Sequence, residues 1–458
     1  MQGVLKVIVD IFSVPAILVA IIAVIGLVLQ KAKTEDVVKG GIKTFVGFLI
    51  LTQGANIITA SLTPFGEMFQ KAFHVTGVVP SNEAIIAVAI KTFGTTSALI
   101  MVTGMLFNIV FARITKFKYI YLTGHAFFYQ ACIIAVILTG ANMNNALMIL
   151  VGGCFLGLAG ILWPAILQKY TKQITGTDDV ALAHTGNFGY MISANVGRLF
   201  SLNGKKGKST EDINFPQSLA FLRDSTVSIA MTMAIVYVVV AIVAGPNFIQ
   251  SRLSDGSNYI VYSLQQAGFF AAGVYVILAG VRMILGEIIP AFKGISERLV
   301  PNSKPGLDCP IVFPYAPNAV LIGFFSSFVG GIISMVIMSV LGTTIVIPGV
   351  VPHFFCGATA AVYGNATGGA KGAIFGSFAQ GMLISFMPLF LMPLVSNLGF
   401  TGSTFSDTDY GVEGLLLGQS SRMGGQLAII SVVLIILAIV LLLTLNDRRK
   451  AREAREAE

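Results

Sequence analysis

Runs of about 20 mostly apolar residues, each long enough to cross a bilayer, recur along almost the whole of this chain. Inside lipid the backbone must satisfy its own hydrogen bonds, so such runs become helices. Candidate spans are 12–29, 44–63, 84–112 (with a break near Gly94), 119–139, 146–167, 221–245, 259–281, 317–342, 345–364, 372–396 and 423–445, about eleven in all. Only 11% of the 458 residues are charged, against roughly 25% in a soluble domain. A soluble fold is excluded, and an all-α polytopic membrane protein is expected.

The net charge of +8 does not point to nucleic acid, because the basic residues sit in short loops between apolar runs. They crowd alternate loops: Lys31, Lys33, Lys39 and Lys43; Arg113, Lys116 and Lys118; Lys169, Lys172, Arg198, Lys205, Lys206 and Lys208; Arg282, Lys293, Arg298 and Lys304; and the tail from Arg448 to Arg452. Loops 140–145, 246–258 and 397–422 carry few. The positive-inside rule then places the N-terminus outside and the C-terminus in the cytoplasm, as an odd number of spans requires. The first apolar run lacks a basic start and a small-residue cleavage site, so it reads as a retained span.

Polar groups at membrane depth are costly and mark places where something polar binds or passes. Leu122-Thr123-Gly124-His125 with Tyr129 and Gln130 opens an apolar run in this way, and Pro348-Gly349 with His353 echoes it. Glycine-interrupted polar openings in both halves of a chain point to a transporter's binding site. Segment 176–200, with His184, Thr185 and Asn187, is too polar to cross lipid and reads as re-entrant or cavity-lining. In segment 305–316 three prolines forbid a continuous helix. Its Asp308 is either paired with a nearby Lys or Arg or lines the site. Glu287 reads as a solvated or paired surface acid, His74 as water-facing, and Trp163 as an aromatic anchor near the inner interface.

Gly66-Glu67 to Val79-Pro80 and Gly286-Glu287 to Val300-Pro301 resemble each other. Each follows an apolar run and reads as an amphipathic helix on the membrane surface. With opposite sidedness, they make residues 12–200 and 221–396 inverted copies of about five spans each, a 5+5 repeat with the last span added.

The four cysteines, Cys132, Cys154, Cys309 and Cys356, have unrelated spacings and read as small buried hydrophobes. No phosphate-binding loop, metalloprotease motif or hydrolase elbow occurs, and no Cys/His cluster has metal-ligand spacing. Neither metal nor cofactor is expected, and no catalytic residue is assigned.

Several stretches together resemble the membrane (IIC) component of the bacterial phosphotransferase-system ascorbate permease family, over nearly the whole length. They are Leu122 to His125 with Gln130-Ala131, Val281-Arg282-Met283, Ala291 to Pro301, Asp308-Cys309 with Tyr315 to Ala319, and Ile347-Pro348-Gly349 followed by Phe354-Phe355 and Ala358-Thr359. The resemblance implies a homodimer of eleven-span protomers in the bacterial inner membrane. Each protomer would combine a V-motif dimer-interface domain, roughly 1–80 and 215–300, with a substrate core, roughly 81–214 and 301–445; residues 446–458 would be a basic cytoplasmic tail. It implies uptake of L-ascorbate or a related sugar acid, with phosphoryl transfer carried by a phosphorylated IIB partner downstream of IIA. His125, His184 and Asp308 carry over as ligands. Tyr129 stands where the family tends to have the first of two glutamines, and Thr185-Gly186-Asn187 replaces a glutamine-rich stretch.

The expected site is therefore His125, Tyr129, Gln130, His184, Thr185 and Asp308, with Gly54, Asn82, Asn187 and His353 as further candidates. Neutral His, Gln, Asn and Tyr supply the donors and acceptors that a polyhydroxylated substrate needs. A proton-coupled secondary transporter using the same His and Asp residues, and an intramembrane enzyme, are the alternatives.

Overall fold

The structure is a computed structural model that describes residues 15–74, 77–201, 207–213, 221, 224–399 and 402–456. It is mostly helical. In the first half, helices α1 (Pro15–Leu29) and α2 (Thr34–Phe73) precede strand β1 (Gly77–Pro80) and helix α3 (Asn82–Ile114). Strand β2 (Tyr119–Tyr121) leads into α4 (Gly124–Gly140), which is followed by α5 (Asn145–Thr175), β3 (Ala181–Leu182) and α6 (Asn187–Leu199).

The second half runs through α7 (Ser225–Ala244), α8 (Pro246–Arg252) and α9 (Tyr259–Leu299) to β4 (Lys304–Leu307). A 3₁₀ turn (Cys309–Tyr315), α10 (Pro317–Val340), β5 (Ile345–Val346), α11 (Val350–Leu391), β6 (Ser403–Thr404) and α12 (Thr408–Glu456) complete it. Among the described residues, α3, α5, α10, α11 and α12 are long and apolar enough to cross a bilayer, and α7 with α8 makes a pair bent by 100°.

Local chemistry sets these boundaries. Ser81 Oγ accepts from Ala84 N at 3.3 Å, Asn144 Oδ1 from Leu147 N at 2.9 Å and Asp224 Oδ1 from Val227 N at 3.0 Å. Side-chain acceptors of this kind satisfy the orphan N–H groups of a first helical turn. Between β4 and α10, Pro310 and Pro314 hold the chain in the 3₁₀ turn, as the prolines predict. Within α11, Gly369 adopts φ +67°, and a side chain there would collide with the carbonyls of Gly207 and Lys208, 2.5 Å away. The kink divides this helix where two separate spans, 345–364 and 372–396, are expected.

Several sequence expectations are corrected. Helix α3 runs unbroken through Gly94, because one interior glycine costs about 1 kcal/mol and tight packing outweighs it. Residues 66–73 and 286–299 are the C-terminal ends of α2 and α9 rather than separate surface helices, since no helix-terminating turn precedes them. The side chains of 287–298 lie outside the described residues, Glu287 among them, as do Lys205 and Lys206. The supposed loop 397–422 contains the start of α12, with Asp407, Asp409 and Glu413 buried. Trp163 is buried, and its indole donates to Glu413 Oε1 at 2.7 Å.

Among the described residues, six short strands form two parallel three-stranded sheets that exchange strands between the halves. β1 of the first half is central between β5 and β6 of the second, and β4 of the second is central between β2 and β3 of the first. Helices α1, α2, α7 and α9 pack chiefly against one another; α3 pairs with α5, and α11 with both α6 and α10.

Candidate functional site

Every one of these strands runs into a helical turn, and all six junctions meet at one cavity. The registers explain why. Tyr121 lies opposite Gly306, and Leu182 opposite Leu307, so β2, β3 and β4 end at the same level. His125 follows β2 by four residues, His184 follows β3 by two and Asp308 follows β4 by one, so the register that pairs the strands also gathers these three side chains. In the other sheet Pro80 lies opposite Thr404, which brings Asn82 and Glu83 at the start of α3 close to Asp407. A carbon added at Gly349 would stand 2.2 Å from the Pro80 carbonyl, so only glycine lets the β5–α11 junction close on β1.

The cavity has a volume of about 160 Å³. Its polar lining is Asn82, Glu83, His125, Tyr129, His184, Thr185, Asp308, Asp407 and Tyr410, with Cys309 and Cys356 beside them and Val351, Pro352 and Phe355 among the apolar groups. Asp308 sits between the two histidines: its Oδ2 is 3.6 Å from His125 Nε2, and its Oδ1 is 3.8 Å from His184 Nε2. The Asp308 carboxylate also accepts from Cys309 N at 2.7 Å. His184 is fixed from behind, with Tyr190 Oη 2.7 Å from its Nδ1 and Tyr121 Oη donating to its carbonyl at 2.8 Å. The ring of Tyr129 meets that of His125 edge to face, with centroids 6.0 Å apart.

Thr185 and Asn82 reach the cavity from different junctions, and both donate to Asp407: Thr185 Oγ1 to Oδ2 at 2.5 Å and Asn82 Nδ2 to Oδ1 at 2.7 Å. Behind this pair, Asp409 caps α6, accepting from Asn187 N at 3.1 Å and Phe188 N at 2.8 Å. A carboxylate there is favoured by the positive end of the helix dipole. At α4 the N-terminal residue Thr123 makes no side-chain cap. Among the described residues neither Lys nor Arg lines the cavity, whereas three carboxylates do.

Of the expected site residues, the fold brings His125, Tyr129, His184, Thr185, Asp308 and Asn82 to the cavity wall. Gln130 is fully buried one residue behind Tyr129 and off the wall. Asn187 holds Asp409, donating to its Oδ2 at 2.7 Å. His353 turns away, its Nδ1 2.8 Å from Ser327 Oγ and its ring against Phe328. Gly54 packs α2 against α9, where a carbon on Gly273 would stand 3.0 Å from its carbonyl. Glu83, Asp407 and Tyr410 were not anticipated. The signal for Asp407 was Ser406-Asp407-Thr408-Asp409, a helix N-terminal sequence ahead of an apolar run.

The family described as PTS system sugar-specific permease component, EIIC-GAT, matches residues 10–409. An ascorbate-specific PTS system EIIC component of Mycoplasma pneumoniae is similar, 26% identical over 437 aligned residues that cover 84% of this chain and 66% of that protein. The chain thus spans just under two thirds of the length of that curated relative.

Proposed function

Given that this chain belongs to the family of PTS sugar-specific permease components, we propose that it is the EIIC component of a phosphotransferase system that imports L-ascorbate or a related sugar acid. The observation that carries the reading is the convergence of six strand-to-helix junctions on one cavity containing His125, His184 and Asp308. Interrupted backbone at the centre of a helical membrane protein is tolerated where it lines a binding cavity. The two imidazoles, Tyr129, Thr185 and Asn82 offer hydrogen bonds to sugar hydroxyls. With no Lys or Arg among the described residues of the wall, an anionic group would be held by helix N-termini that face the cavity. Asp308 receives the hydroxyl that the phosphorylated IIB partner, charged in turn by IIA, will phosphorylate.

The protomer has eleven spans, with its N-terminus outside and its C-terminus cytoplasmic in the bacterial inner membrane, and works as a homodimer. The exchange of strands between the halves supports the inverted repeat. The mutual packing of α1, α2, α7 and α9 supports a V-motif unit of roughly 1–80 and 215–300 against a core of roughly 81–214 and 301–445. Transport is then a movement of one unit against the other. Basic inner loops dock an acidic face of IIB.

Uptake into proteoliposomes tests this. With phosphorylated IIB on the C-terminal side, labelled ascorbate should accumulate as its phosphate. Accumulation that follows a pH gradient and ignores IIB would favour a proton-coupled transporter, a reading to which the buried Glu83, Asp407 and Asp409 lend some support. A thermal-shift panel of sugar acids and polyols would identify the substrate.

A further inference from the structure

The cavity collects half of the chain's four histidines and half of its four cysteines, although their sequence spacing matches no metal motif. We propose that His125, His184 and Asp308 form a binding site for a divalent transition-metal ion of the Zn²⁺ class, and that the ion competes with the sugar for this space.

Geometry carries the argument. One ligand atom from each of the three residues lies within 4.8 Å of the other two. The His–Asp separations of 3.6 and 3.8 Å are too long for hydrogen bonds. They suit ligands sharing an ion, with one carboxylate oxygen turned to each imidazole: two atoms each about 2.0–2.2 Å from zinc, subtending about 110–130°, stand about 3.3–4.0 Å apart. His184 also has the support that metal-ligating histidines require, since Tyr190 Oη sits at its Nδ1 and directs Nε2 towards Asp308. Two imidazoles and one carboxylate favour zinc and its neighbours over Mg²⁺ or Ca²⁺, which take oxygen ligands. An entrance exists, because the Asp308 side chain is 38% exposed and that of His125 22%.

A second group, His184, Cys356 and Asp407, also falls within 4.8 Å. It is the weaker ligand set, because Asp407 is already occupied by donors from Thr185, Asn82 and Ser406. The two sets share His184 and cannot be filled together, so the test must separate them.

Metal binding is measured first on the purified full chain without sugar, which makes it independent of the proposed transport function. Zn²⁺ titration by calorimetry should show one saturable site per chain. Co²⁺ should give visible d–d bands without a thiolate charge-transfer band. His125→Gln and Asp308→Asn should each weaken Zn²⁺ at least tenfold, Tyr190→Phe about tenfold as loss of the supporting contact, and His74→Asn, at an exposed position, should not change it. Matching size-exclusion profiles show which variants are folded. Absence of saturable binding overturns the proposal. So does binding indifferent to both His125→Gln and Asp308→Asn, or a thiolate band abolished by Cys356→Ser. The competition arm rests on the proposed sugar site: Zn²⁺ should inhibit uptake and lose that effect in His125→Gln. Zinc binding without inhibition would refute the competition while leaving both the metal site and the transport reading standing.

Discussion

The hydroxyl of Thr185 donates to Asp407 Oδ2 at 2.5 Å across 222 positions of sequence, joining the β3–α6 junction to the β6–α12 junction. Asp407 holds Asn82 of the β1–α3 junction at the same time. All three residues are buried, so Asp407→Ala leaves the Thr185 and Asn82 donors without partners, whereas Ser406, the third donor, still reaches Asn82 Oδ1. Each orphaned donor costs about 1–3 kcal/mol. Asp407→Ala should lower the thermal unfolding midpoint in detergent and abolish any substrate-induced shift. Asp407→Asn, which keeps one acceptor, should fall between it and the unsubstituted chain. A midpoint unmoved by alanine would mean that the three junctions are held together by other contacts.

Asp308 differs in that it is partly exposed and stands between two imidazoles. If it receives the hydroxyl that becomes phosphorylated, its charge matters more to transfer than to binding. General bases contribute about 10²–10⁴-fold. Asp308→Asn should therefore reduce IIB-coupled phosphorylation by about that factor, with substrate affinity falling less than about tenfold. Phosphorylation at the original rate would remove Asp308 from this role.

His125, His184 and Asp308 were legible in the sequence because each lies in a polar or helix-breaking interruption between apolar runs, and the family resemblance singles out all three. Glu83 and Asp407 were not, although they line the same cavity. The burial of Asp407 depends on partners 222 and 325 positions away, which no local pattern encodes, and its flanking Ser, Thr and Gly residues read as a solvated loop. Trp163 looked like an interfacial anchor for the same reason, since its partner Glu413 is 250 positions away. The cysteines show the converse. Cys309 and Cys356 have no meaningful spacing, yet β4 and β5 deliver both to one wall. The prolines of 305–316 were read correctly because their effect on the backbone is local.

Outside the apolar helices, Asp178 pairs with Lys304 at 2.7 Å and accepts from Gln168 Nε2 at 2.7 Å. The Lys304 hydrogen bond, with that of Gln168, holds the Asp178 carboxyl below its ordinary value of 3.8. A carboxyl lowered in the folded chain contributes stability that is complete above its unfolded value and is lost as pH falls through the folded one. Asp178→Asn should therefore flatten the loss of thermal stability below about pH 4 and change little at pH 7. The pair is partly exposed, so the effect should be no more than about 1 kcal/mol. An acid limb of unchanged steepness in the variant would assign acid sensitivity to other carboxyls.

Glu413 is 2% exposed, and its Oε1 accepts from the Trp163 indole at 2.7 Å, while its Oε2 has no hydrogen-bond partner among the described residues. The surrounding cavity wall is otherwise apolar, from Phe155 and Leu158 to Leu416 and Ile436. The indole is thus the main compensation for burying this acid, and its removal should cost more than its packing volume alone. Trp163→Phe should destabilise by about 1–3 kcal/mol for the orphaned acceptor, with a cavity cost added. Glu413→Gln should be milder, because an amide oxygen still accepts from the indole. Replacing both partners with apolar groups removes the unsatisfied atom altogether, so Trp163→Phe combined with Glu413→Leu should be more stable than Trp163→Phe alone. Residues in direct contact couple by about 0.5–3 kcal/mol. A cycle of thermal or denaturant unfolding measurements that proved additive would show that the Trp163–Glu413 bond does not hold α5 against α12.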